Sequence, residues 1–178
     1  MARRFLYYVA ASADGFIARK DGAVDWLESR APGDYGFDDF LARVDTVVWG
    51  RTTFDGYGVK PPGLEPFGDR RHIILSHRPP PANLDPRATF TAESATAVAN
   101  RLRKSAGKDV WLMGGGKLAR SFLDAGAVDE VIVHVIPVLL GEGIRLFATG
   151  MGDTELRLHE TKGFADGVVR LHYEVKHN

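Results

Sequence analysis

Residues Asp109 to Phe147 read DVWLMGGGKLARSFLDAGAVDEVIVHVIPVLLGEGIRLF, and their pattern decides the fold. Val110, Trp111, Leu112 and Met113 form an apolar run with no polar interruption, as in a strand buried on both faces of a parallel sheet. Gly114, Gly115 and Gly116 then remove every side chain at the strand's carboxyl end. Such a turn lets the backbone approach a ligand closely, and the helix after it points free N–H groups toward any phosphate held there. Leu118, Phe122 and Leu123 share one helical face, Gly126 is placed to end the helix, and Val131 to Leu140 resumes a strand. The plainer alternative is a tight strand-to-helix connection without a ligand, since three glycines are not the full dinucleotide fingerprint.

Upstream, Phe5 to Ala11 is apolar and β-prone. Ser12 to Gly15 interrupts it, and Phe16 to Ala18 resumes before a polar turn. Trp26 and Leu27 anchor the next loop. Asp34 is placed to open a helix with Phe37, Phe40, Leu41 and Val44 on one face. Thr46 to Trp49 and His72 to Leu75 are two more short buried-strand candidates. Between them Tyr57 to Asp69, rich in Gly and Pro, is expected to be irregular, as is the loop at Pro79, Pro80 and Pro81. Glu93 to Lys104 carries Ala95, Val98, Ala99 and Leu102 at helical spacing. Beyond Phe147, Leu156 and Leu158, then Val169, Leu171, Tyr173 and Val175, alternate with polar residues around Ala165-Asp166-Gly167. That is an antiparallel hairpin with one wet face. The expectation is an α/β fold, a three-layer α/β/α sandwich whose mixed, mostly parallel sheet ends in a C-terminal hairpin, as one domain over residues 1–178.

Composition narrows the function classes. Lys plus Arg (23) equals Asp plus Glu (23), so no broad field draws the chain to nucleic acid or anionic lipid. Its 178 residues are 44% apolar, without a run of membrane-spanning length. The N-terminus has too short an apolar stretch for a signal peptide, so a cytoplasmic protein with no membrane partner is expected. With no cysteine, thiolate nucleophiles and Cys metal sites are excluded. The histidines form no HxxxH pair on a predicted helix, so no metal is expected. No serine sits in a GxSxG elbow.

Three strand ends share a character. Gly50-Arg51-Thr52-Thr53, Ser76-His77-Arg78 and Gly114-Gly115-Gly116-Lys117 each follow a predicted buried strand with small, hydroxylic or basic residues. Ligands of open parallel sheets bind outside the carboxyl ends of the strands, and these residue types suit a phosphorylated cofactor. Asp14, just past the first strand, and Asp34 could face the same edge. Spacing alone favours Asp34 as an N-cap over an acid, and the two roles compete for the same carboxylate.

Together these segments resemble the dihydrofolate reductase-like superfamily. They are most similar to the reductase domain of the bifunctional riboflavin-biosynthesis deaminase-reductase. The resemblance runs through YVAASADGFIA, DYGFDDFLARVDTVVWGRTTFD, HIILSHRP and the segment quoted first. It implies helices on both sides of a mixed sheet, an NADPH site across the strand ends, a cis Gly114–Gly115 peptide and a homodimer. Gly50, Arg51, Thr52 and Thr53 match the GRxT stretch at the adenosine-phosphate end. Ser76, His77 and Arg78 match the segment flanking the 2′-phosphate. Gly114, Gly115, Gly116, Lys117 and Leu118 match the turn under the pyrophosphate and nicotinamide, and Ala10, Asp14 and Ile17 the positions near the nicotinamide and substrate. Asp34 falls near the acidic residue that contacts the pterin ring in dihydrofolate reductases. The cysteine-free chain lacks the PCxxC of the zinc deaminase half. The implied activity is NADPH-dependent hydride transfer to a C=N unit of a pyrimidine- or pteridine-type substrate. Dihydrofolate reduction and non-catalytic NADPH or nucleotide binding are the alternatives.

Overall fold

The computed structural model of the chain describes residues 2–28, 35–59, 63–150 and 152–177. Its strands are β1 (Phe5–Ser12), β2 (Phe16–Ala18), β3 (Val44–Gly50), β4 (Arg71–Leu75), β5 (Ala88–Thr91), β6 (Asp109–Gly114), β7 (Glu130–Ile136), β8 (Ile144–Arg145), β9 (Leu156–Gly163) and β10 (Val169–Val175). Its helices are α1 (Asp25–Glu28), α2 (Phe37–Arg43), α3 (Arg51–Thr53), α4 (Ala95–Arg103) and α5 (Gly116–Asp124). The main sheet has the order β5-β4-β3-β6-β1-β7-β10-β9, and β2 pairs separately with β8. From β5 to β7 every pairing is parallel, while β10 is antiparallel to both β7 and β9.

This is the expected α/β sandwich with its C-terminal antiparallel hairpin. On one face, Val98, Ala99 and Leu102 of α4 and Leu118, Ala119 and Phe122 of α5 pack on Phe5, Tyr7, Val110 and Leu112. On the other, Phe40 of α2, with Phe54, Leu64 and Phe67, packs on Leu6, Val47, Trp49 and Trp111. Both faces of β1, β3 and β6 are thereby covered, which is why those strands carry unbroken apolar runs. Ser94 caps α4 by accepting from the Ala97 N–H at 3.2 Å. Gly126, at φ +60°, closes α5, with Ala127 N donating to Phe122 O at 2.9 Å.

Three expectations need correction. The helix expected from Asp34 starts at Phe37, and its N-cap is Gly36 in the left-handed region, with no side-chain cap bond. Asp34 itself lies outside the described residues. Val44 is the first residue of β3, not the last turn of that helix. The hairpin was expected to have one dry face, yet every residue of β9 is exposed, Leu156 and Leu158 included. The strand stands at the sheet's edge beyond the reach of α4 and α5, so its apolar residues meet no layer.

Candidate functional site

The order of the strands locates a crevice. From β3 the chain moves outward to β4 and β5; from β6 it passes over β1 to β7. The two connections diverge between β3 and β6, the switch point outside which open sheets bind ligands. Register brings the three phosphate-friendly strand ends side by side: Gly50 pairs with Leu75, and Trp49 with Gly114.

The glycine turn stands at this switch point, where β6 passes into α5. The Gly114–Gly115 peptide is cis, as the resemblance implied. Gly114 has φ +114° and open space where a Cβ would project. Gly116, the first residue of α5, has none to spare: a Cβ would lie 2.6 Å from the Arg145 carbonyl oxygen. A Cβ on Gly50 would come within 3.2 Å of Gly114 O, and one on Gly115 within 3.4 Å of Ile17 Cδ1 and 3.8 Å of Thr53 Oγ1. Gly50, Thr53 and Ile17 therefore each lie against the turn. Leu118 lies near Gly50 too, but its side chain is buried in the core, which leaves only its backbone for a ligand. Lys117 is exposed.

Asp14 acts on the loop beside the crevice. Its carboxylate accepts from Leu140 N at 3.1 Å, Gly141 N at 2.7 Å and Ser12 Oγ at 2.6 Å. The Ser12 hydroxyl and those backbone donors outweigh desolvation and hold its pKa at about 2. The carboxylate thus ties the end of β1 to the Leu140–Gly141 turn. Ala10 of β1 is paired in register with His134 of β7.

His134 was not singled out from the sequence. It is 3% exposed, and its ring lies 4.8 Å from that of Tyr8, which stacks on Phe40 at 4.0 Å. His134 Nε2 is 3.3 Å from the Tyr35 carbonyl oxygen, which only accepts, so Nε2 carries the proton. Burial, opposed by that hydrogen bond and reinforced by the charge of Arg170, keeps its pKa below the ordinary histidine value. The visible signal is a histidine interrupting the apolar run VIVHVI.

On the β3–β4 side, Ser76 Oγ accepts from Arg78 N at 3.0 Å and shapes the turn. His77 and Arg78 are exposed, and Thr52 is exposed on α3. Arg51 donates from Nη1 to the Pro79 carbonyl at 2.8 Å, joining α3 to the loop after β4.

Residues 5–170 match the RibD C-terminal domain family. The chain belongs to that family. Among relatives, it is 41% identical over 174 residues to the uncharacterized protein YwjB of Bacillus subtilis, covering 97% of this chain and 98% of that one. It is 29% identical over 156 residues to the riboflavin biosynthesis protein RibD of Corynebacterium ammoniagenes, covering 82% of this chain but 46% of that protein. A putative riboflavin biosynthesis protein from Shewanella sp. PV-4 shares the fold, with a TM-score of 0.83 at 24% identity over 99% of this chain and all of that one. A RibD C-terminal domain is a reductase-type domain. No group of three metal-ligating side chains occurs among the described residues, and no helix among them is long and apolar enough to cross a membrane.

Proposed function

We propose that this RibD C-terminal domain protein is an NADPH-dependent oxidoreductase acting on a pyrimidine of the riboflavin-synthesis type. The observation that carries the reading is the convergence of Gly50–Thr53, Ser76–Arg78 and the Gly114–Gly116 turn on one crevice at the switch point. The residues fit a dinucleotide. Gly114 keeps the turn open, and the first N–H groups of α5 offer unspent donors to a pyrophosphate. Thr52, Thr53 and Ser76 add hydroxyls, and Arg51, His77 and Arg78 supply the basic groups a 2′-phosphate requires. Ile17, beside Gly115, offers an apolar contact for the nicotinamide, and Ala10 is assigned near it from the resemblance alone. Bound NADPH supplies a hydride, and the protein supplies orientation and exclusion of water.

The substrate side is the face of β1 and β7 that carries Ala10, Tyr8 and His134. The aromatic rings of that face suit a flat heterocycle, and Asp34 is proposed, from the resemblance, as proton donor. The same resemblance supports a homodimer in the cytoplasm, with the exposed Leu156 and Leu158 as apolar surface that it would bury. Sedimentation velocity tests the dimer.

The test of the activity is NADPH oxidation with the ribosylaminopyrimidine phosphate of riboflavin synthesis and with dihydrofolate side by side. Turnover with the pyrimidine alone is the expected result. Turnover with dihydrofolate alone moves the substrate to the pteridine class. Tight NADPH binding with neither compound reduced makes the chain a binding protein and overturns the reading.

A further inference from the structure

Arg51 follows β3 and Arg78 follows β4, yet both reach one carboxylate. Arg51 Nε donates to Asp55 Oδ1 at 2.7 Å, and Arg78 Nη2 donates to Asp55 Oδ2 at 3.1 Å. Arg51 is committed elsewhere as well, through Pro79 O and by lying 5.2 Å over the Phe90 ring. Its side chain is 18% exposed, whereas those of Asp55 and Arg78 are 36% and 62% exposed. Arg51 is therefore fixed from three sides, while Arg78 is held by Asp55 and otherwise open to water. Each oxygen of Asp55 occupies a donor that an oxygen of a phosphate would use. The cluster of two guanidinium groups and one carboxylate keeps a single net positive charge, where a site built only for a dianion would keep two.

Resting on the cofactor reading above, we propose that Asp55 is a built-in competitor for the 2′-phosphate of NADPH, and that it sets how strongly the protein prefers NADPH over NADH. A phosphate entering between the two arginines must take Arg78 from Asp55 and then face a carboxylate across Arg51. Both steps subtract from its affinity. NADH presents a hydroxyl at that position, loses no such contact to Asp55 and meets no such repulsion. The carboxylate thus lowers NADPH affinity without touching that of NADH. It also keeps Arg78 ordered when no phosphate is there.

The test uses the full chain and direct binding by titration calorimetry. The probes are NADPH, NADH and the adenine halves 2′,5′-ADP and 5′-AMP. Asp55→Asn removes the charge at nearly constant shape, on a side chain exposed enough to tolerate it. It should tighten NADPH and 2′,5′-ADP by about tenfold, the size of one charge-assisted bond, and leave NADH and 5′-AMP within about twofold. Asp55→Glu keeps the charge and should show no gain. Adding Arg78→Gln to Asp55→Asn should erase it. Weaker NADPH binding in Asp55→Asn would instead make Asp55 a positioning residue for Arg51 and overturn the proposal, as would equal tightening of both cofactors. If wild type selects NADPH and Asp55→Asn leaves that ratio unchanged, this inference alone fails. If no form of the protein binds either cofactor, the cofactor reading fails and takes the inference with it.

Discussion

At the amino-terminal ends of β6 and β7, Arg43 spans Asp109 and Glu130, each at 2.9 Å, and Arg4 and His172 reach Glu130 at 2.8 Å. Nearby, Arg3 is 2% exposed and is used up by Asp45, Thr46 Oγ1 and the Lys108 carbonyl. At the carboxyl-terminal ends of the same sheet stand glycines, hydroxyls and the largely exposed Arg78. The same guanidinium and carboxylate groups serve two purposes. One end spends its charges on closing the fold, since a buried ion must have a partner. The other keeps backbone N–H groups available and holds its one largely solvated arginine through Asp55 alone. A strand end can be read as structural or ligand-facing by asking where its charges are already satisfied.

Breaking the closed end should have the largest effect. Glu130 is 2% exposed, and Glu130→Gln leaves Arg43 and Arg4 leaning on a neutral amide, which should cost about 3–5 kcal/mol in urea unfolding. Burial alone would raise the pKa of Glu130, but hydrogen bonds from His172 and Arg43 and the charges of Arg43 and Arg4 bring it to about 2. Its folded value is below its unfolded one, so its contribution is complete above about pH 4.5 and is lost as pH falls toward 2. Stability of the wild type should drop through that window, and the Gln variant should drop less. Equal acid slopes would show that Glu130 is not the group responsible.

At the open end, Gly116→Ala should cost about 1–3 kcal/mol, because the new methyl meets the Arg145 and Leu146 carbonyl oxygens. Helix propensity alone would favour alanine by about 1 kcal/mol, so the sign of the change shows which effect wins. A raised melting temperature would mean that the segment over the turn gives way freely. A lowered one, with NADPH binding lost, would show a clamped turn.

Elements covered on both faces were legible in the sequence: the apolar runs of β1, β3, β6 and β7, and the α5 face marked by Leu118 and Phe122. What escaped has a common cause in weak local signals. β5 is a four-residue edge strand in which only Ala88 is buried, so ATFT carries no pattern. α2 is capped by a left-handed glycine, which offers no side-chain oxygen, so the chemical cue drew attention to Asp34 instead. In β9 the alternation is present, but the layer it should meet is not. The glycine turn and its neighbours were visible because they repeat at three strand ends. Asp55 was not, since only the adjacency of β3 and β4 brings Arg78 to it.

The arginine pair sharpens the comparison at a smaller scale. Arg78→Ala should raise the NADPH dissociation constant at least about tenfold and spare NADH, because only NADPH carries the group it pairs with. Arg51→Ala should do the same and also lower the melting temperature, as it releases the Pro79 carbonyl and the Phe90 ring. Parallel losses for both cofactors would return these arginines to a purely structural role, like those at the closed end.

Ser76 should show the smallest effect, and it separates two ways in which a hydroxyl can serve this site. Its Oγ accepts from Arg78 N at 3.0 Å and donates to Arg78 O at 3.2 Å, so it shapes the turn from which Arg78 projects. In that role Ser76→Ala removes an exposed neutral bond, a change of about 0.5 kcal/mol, near the low end for hydrogen bonds. NADPH affinity should fall by about twofold to threefold through a less ordered Arg78, with NADH and the melting temperature unchanged. A hydroxyl that bonds the phosphate directly makes a bond to a charged group, and its removal would match the roughly tenfold loss expected for Arg78→Ala. The double variant decides between them. If Ser76 works by placing Arg78, the serine change costs nothing further once Arg78 is alanine; if it contacts the phosphate, the two losses multiply.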